Sequence, residues 1–276
     1  VNVAARLLEV TDGLTEAGLH FLIMGGHAVR YYGVDRNTVD FDFHLSTEDA
    51  VDLADRLRRT RLSSGGQLVE VPSWRAPDFR RFQIGVLPSG REEWLEFWLR
   101  NHLLPPFTEL DQRREEAVVE GRVLRFLSLR DLIRSKETER DEDWSDVRLL
   151  EEVLDNRNLA NAQDASSRVL ALSQLASRRG FERAEAAGIL ADRATVAAAL
   201  SAARHPVTLA YLLPYSQFAD AAQRNVLLDT AVKTALARIV PGASRHLAVV
   251  EAVRLAYQRA AKAADQADKQ RMRTPP

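Results

Sequence analysis

Two aspartates stand one residue apart in the run Val39–Asp40–Phe41–Asp42–Phe43. In an extended chain alternate side chains share a face, so both carboxylates point one way and both aromatic rings the other. Neighbouring carboxylates repel each other and gain nothing from packing. Either the acidic face lies in water, as on an ordinary amphipathic strand, or a divalent cation draws the hard oxygen ligands together. The residues just upstream favour the cation. An apolar run, Phe21–Met24, leads into Gly25 and Gly26 and then into a helical segment, His27–Tyr32, ending on Gly33. Strand, glycine pair and helix N-terminus make a seat of backbone N–H groups for phosphate, because glycine lets the chain approach closely. Phe21–Leu45 thus combines a phosphate seat with metal-ligating acids, the equipment of metal-assisted phosphoryl transfer.

Positioning those groups requires a sheet, and the flanking sequence carries the pattern of one. Apolar residues at helical spacing over Val3–Ala17 predict a first helix, stopped by Gly18. Ser46–Thr47–Glu48–Asp49 is a capping sequence. The helix it opens is expected to run to Thr60, burying Ala50, Val51, Leu53, Ala54 and Leu57. Strands are predicted at Leu68–Pro72, Arg80–Val86 and Trp94–Leu99, and a hairpin over Val118–Phe126 turning on Glu120–Gly121. Glu96 lies between Leu95 and Phe97 on a strand expected at the sheet centre, where an unpaired carboxylate is expensive. It either belongs with the aspartates or shares a solvated face with Glu92. Ser128 opens a helix carrying Leu132, Ile133, Val147, Leu149 and Leu150, with Asp131 placed as in a capping box. Lys136, Arg140, Asp143 and Asp146 recur along it at ion-pair spacing, which by itself describes a charged surface helix.

Beyond Asp155–Asn156–Arg157–Asn158 the composition turns alanine-rich and strand candidates cease. Helices are expected at Asn161–Arg178, Arg183–Ser201, Pro206–Leu213, Ser216–Val240 and Ala243–Lys269, joined by short loops as in a helical bundle. This divides the 276 residues into an α/β part, 1–155, and a helical part, 156–276. His205 and His246 read as ordinary helix-terminus residues. The composition, 46% hydrophobic and 28% charged, is that of a folded globular chain. A formal net charge of −1 gives no global basic footprint for nucleic acid, although a local patch can still steer one. Cysteine is absent, which excludes disulfides and thiolate metal sites. No apolar run reaches the length of a membrane span and no basic-then-apolar leader opens the sequence. A cytoplasmic location and no membrane partner are expected.

The run GGHAVRYYGVDRNTVDFDF resembles the signature of the nucleotidyltransferase superfamily with the DNA polymerase β-like core. More narrowly it resembles the AbiEii/AbiGii-type and MenT-type nucleotidyltransferase toxins, which carry Gly-Gly, Arg-x-Thr-x-Asp-x-Asp and a later lysine motif. The resemblance covers roughly the first 150 residues and is specific in combination. It implies an α+β fold, a polymerase β-like domain of mixed sheet and flanking helices followed by an all-α domain. It implies Asp40 and Asp42 as ligands of two Mg2+ ions and Glu96 as the third acid. Gly25 and Gly26 would bind nucleotide together with Arg36 and Thr38. LRDLIRSKETERDEDWSDVRLL matches the later motif in order and spacing. On that match Lys136 is the essential lysine and Asp146, with Asp143 beside it, the later acid; which of the two acids corresponds stays open. The implied reaction moves an NMP from an NTP to a tRNA 3′ end or a protein hydroxyl, in a toxin held in check by an antitoxin. Two other readings stand beside it: a catalytically silent nucleotide-binding regulator or antitoxin, and a helical scaffold whose α/β part is only a support.

Overall fold

The computed structural model describes residues 3–63, 68–73, 75, 77–138 and 140–217. The predicted helices at Ser216–Val240 and Ala243–Lys269, and His246, lie outside these residues apart from Ser216 and Gln217. Helix α1 (Val3–Glu16) precedes strand β1 (Phe21–Ile23), helix α2 (Gly25–Tyr31) and strand β2 (Phe41–Leu45). Helix α3 (Leu53–Arg58) follows, then strands β3 (Val69–Val71), β4 (Phe79–Val86) and β5 (Glu92–Trp98). Helix α4 (Phe107–Gln112), strands β6 (Glu115–Val119) and β7 (Arg122–Phe126), and helix α5 (Leu129–Ser135) complete the first compact unit as far as it is described. The second unit begins at Glu137 and holds α6 (Asp141–Ala160), α7 (Ala165–Gln174), α8 (Arg178–Ala186), α9 (Arg193–Ala202) and α10 (Pro206–Gln217).

The strands form one seven-stranded mixed sheet in the order β3-β4-β5-β2-β1-β7-β6. The parallel pairs are β2 with β5 and β1 with β7; the other neighbours run antiparallel. Alternation in β2 sends Phe41 and Phe43 into the core, where Phe43 joins Phe82, Leu95 and Phe97. Each such fully buried side chain stabilises the fold by roughly 1.5–3 kcal/mol. The β6–β7 hairpin turns on Glu120 and Gly121, both at positive φ, as two-residue turns between strands require. Helix α2 packs on β2 and on α5, and its end is tied down where the Tyr32 hydroxyl donates to the Leu127 carbonyl at 2.6 Å.

The structure corrects several sequence expectations. The helix predicted from Ser46 to Thr60 shrinks to α3, because Asp52 sits in the left-handed region at φ 53° and breaks the preceding turn. Ser46 accepts from the Asp49 amide only to close that turn, and Val51 faces solvent, 64% exposed, instead of the core. The helix opened by Ser128 is two helices. Lys136 caps the C-terminal end of α5, and α6 starts afresh at Asp141, where Thr138 and Arg140 both donate to the Asp143 carboxylate. The composition break at Asp155–Asn158 lies inside α6, whereas the compact units part between Lys136 and Glu137. Pro214, read as a helix end, lies within α10.

The helical unit has its own core of Leu172, Leu175, Phe181, Ala184, Leu190, Val196, Ala199, Ala203 and Leu212. Asp155 on α6 organises it. Its buried carboxylate accepts from the Ala176 and Ser177 amides and from the Ser177 hydroxyl, which in turn caps α8. Gly180 passes so close to Asp155 that a β-carbon there would overlap it.

Candidate active site

The site is assembled at the start of β2. Gly25 takes φ +61°, a conformation that favours glycine, and so turns the chain from β1 into α2. The turn is pinned by the Met24 amide donating to the Asp42 carbonyl at 3.0 Å. The Asp42 carboxylate lies on Gly25 and the Thr38 side chain on Gly26, leaving no room for a β-carbon at either glycine. The glycine pair thus admits the chain's own carboxylate and hydroxyl to the backbone. Thr38 also donates from its hydroxyl to the Asp40 carbonyl at 3.4 Å.

Asp40 occupies the bend just before β2, and Asp42 lies within the strand, half-buried. Parallel pairing of β2 with β5 sets Asp42 directly opposite Glu96. The two carboxyls thus face each other across the β2–β5 pair, and the Asp42 charge disfavours ionisation of Glu96. Burial first, then the Asp42 charge, pushes Glu96 up to about 8, with Arg81 acting the other way. Asp40 is raised as well, by burial and then by Asp42, against the pull of Arg91 and Arg81. One Asp40 oxygen, Oδ1, is buried without a hydrogen-bond partner among the described residues. Two neighbouring carboxyls, Asp40 and Glu96, that hold protons above their usual range beside Asp42, with one Asp40 oxygen orphaned, form a site short of positive charge.

That shortage is what a divalent cation relieves, so the donor set fits a hard, oxygen-liganded metal. Among the described residues no three His, Asp or Glu side chains already stand in the mutual arrangement of a finished metal cage. Asp40, Asp42 and Glu96 are the residues that would hold such an ion, and binding it would favour their charged forms.

Arg36 is half-buried in the loop between α2 and β2. Lys136 is buried at the end of α5. Asp143 and Asp146 are buried on the first turns of α6, in the other unit. Asp143 is engaged at 2.5 Å by Thr138 and at 2.8 Å by Arg140, the i,i+3 ion pair that the charge spacing predicts. Sequence reasoning missed two arginines beside the acids. Arg81 on β4 places Nε 3.7 Å from Glu96 Oε1, and Arg91 lies 3.9 Å from Asp40 Oδ2. The signal was the alternation of β4, but its register against β5 was not legible. His27 stacks on Phe41 at 4.8 Å, and burial lowers it to about 4, so it is neutral there at pH 7.

No family model matches this chain, and no curated protein does. Several solved structures are similar to it. The lincosamide antibiotic adenylyltransferase LnuA, solved with lincomycin bound, has 12% identity and a TM-score of 0.39, covering 54% of this chain and 96% of its own. JHP933 from Helicobacter pylori has 16% identity and a TM-score of 0.38, covering 91% and 97%. An antigenic nucleotidyltransferase-like protein from Paracoccidioides brasiliensis has 17% identity and a TM-score of 0.35, covering 73% and 91%.

Proposed function

We propose that the chain is a Mg2+-dependent nucleotidyltransferase, moving an NMP from an NTP to an acceptor hydroxyl and releasing pyrophosphate. The single observation that carries this reading is the Asp42 carboxylate seated on Gly25 and paired in register opposite Glu96, with Asp40 two residues away. Asp40, Asp42 and Glu96 are the ligands of the metal. Bound there, Mg2+ would neutralise phosphate charge and acidify the attacking hydroxyl.

The remaining roles belong to the chain's own residues. Amide groups of Gly25 and Gly26 orient the phosphates beside Asp42, and Thr38 holds the loop that carries Asp40. Arg36 and Lys136 contribute fixed positive charge, Arg as a fork and Lys as a point. In the transfer the acceptor oxygen bonds to the α-phosphorus while the bond to the bridging oxygen of pyrophosphate breaks. The hydroxyl proton leaves to a carboxylate or water. Lys136 and Asp146 enter on their match to the toxin motif, and so do a tRNA 3′ end or protein hydroxyl as acceptor and an antitoxin as partner.

The test incubates the purified chain with each α-labelled NTP, Mg2+ and either total RNA or cell lysate. Label appears on one acceptor class with the wild type and not with Asp42→Asn. Nucleotide binding without label on any acceptor would establish the silent regulator instead.

A further inference from the structure

The β4–β5 hairpin brings positive charge to the acids in an unusual way. Arg80 and Arg81 are consecutive and point to opposite faces of the sheet. Arg80 is fully engaged, its fork donating to Glu70 at 2.7 and 2.8 Å across the β3–β4 pair. Arg81 lies directly opposite Glu96, yet Nε stays 3.7 Å from the carboxylate, beyond hydrogen-bond reach. That nitrogen is buried and has no hydrogen-bond partner among the described residues. The guanidinium is instead held over the Trp94 ring, its centre 3.7 Å from the ring centroid. A structural ion pair would have closed to a fork, as at Arg80 or at Arg113 with Asp131. Arg81 supplies charge to the cluster without occupying its oxygens.

We infer that Arg81 is a stand-in cation for the carboxylate cluster, a positioning residue that sets a positive charge beside Glu96 and Asp42 in the metal-free protein and competes with a divalent ion there. The inference rests on the reading of Asp40, Asp42 and Glu96 as metal ligands. The stack on Trp94 keeps the guanidinium near enough to screen Glu96 and too far to block it. The competition makes the metal-free chain tolerable and the metal readily exchanged. Arg91, more exposed and 3.9 Å from Asp40, screens the outer acid more weakly.

The experiment measures Mn2+ binding without nucleotide, by EPR of free Mn2+, together with thermal melting in EDTA and in Mn2+. Wild type is compared with Arg81→Gln, Arg81→Ala and the charge-keeping Arg81→Lys. Removing one positive charge a few ångströms from the site should tighten Mn2+ binding about 3- to 30-fold. In EDTA the neutral variants should melt below wild type, and Mn2+ should close that gap. Arg81→Lys should resemble wild type in both readouts. In a Glu96→Gln background, Arg81→Gln should no longer tighten binding, since the shared carboxylate is gone. A merely structural arginine would not improve metal affinity when lost. The inference is overturned if wild type binds Mn2+ and the neutral variants bind it equally or more weakly. If neither wild type nor any variant binds Mn2+, the metal reading of the acids fails first and takes this inference with it.

Discussion

The Asp42 carboxylate occupies the space that a β-carbon of Gly25 would need. One residue therefore fixes both the turn into α2 and the seat of an acid on the next strand. Gly25→Ala meets two penalties, a positive φ and a collision with Asp42. It should cost about 2–3 kcal/mol of stability and, by displacing the acid, about 100-fold in the proposed nucleotidyl transfer. Denaturant melts and the labelling assay check the two effects separately.

Asp42→Asn separates stability from activity. Burial, and then repulsion from Asp42, holds Asp40 and Glu96 both above their usual range. The amide should therefore raise metal-free stability by about 1 kcal/mol while lowering transfer at least about 1000-fold. A variant that loses both stability and activity would assign Asp42 a structural role instead.

In the helical unit the stability of α8 depends on Asp155. Its carboxylate accepts from two amides and a hydroxyl out of reach of water. Asp155→Ala strands those donors and should cost about 2–4 kcal/mol. Hydrogen exchange should locate the loss at Ala176, Ser177 and the first turn of α8, leaving the sheet protected.

Glu151, also in the helical unit, gives that unit a pH dependence of known sign. Burial, then the charges of Asp155 and Glu137, raises Glu151 from 4.5 to about 8. The neutral form is thus favoured in the fold. Its stabilising share is complete below pH 4.5 and is lost as pH climbs through 8. Glu151→Gln, which cannot ionise, should match wild type at pH 5 and exceed it at pH 9. The excess should be on the order of 1–2 kcal/mol, allowing for partial exposure. Melting curves of both proteins across that range make the comparison.

Much of the site was legible from local pattern. Period-two alternation alone required Phe41 and Phe43 to go inward, and the Gly25–Gly26 step marked the tight entry to α2. The Glu120–Gly121 turn and the Ser128 cap were readable because a left-handed turn and an orphaned helix amide each demand particular residue types. The break between α5 and α6 was not readable. Helical spacing continues across Lys136–Arg140, and only the closure of Thr138 and Arg140 onto Asp143 starts a new helix there.

By itself the sequence determined which acids leave the core and which glycines bend the chain, since both follow from the geometry of a few successive residues. Tertiary structure decided which strand each acid faces. Alternation survives any two-residue slide, so nothing local required β2 to lie beside β5 with Asp42 opposite Glu96. A register shift between Gln83 and Gly85 then leaves Ile84 out of step in the β4–β5 pair. That one-residue bulge sets Arg81, and not Phe82, across from Glu96, because each step of register turns a strand's side chains to the opposite face.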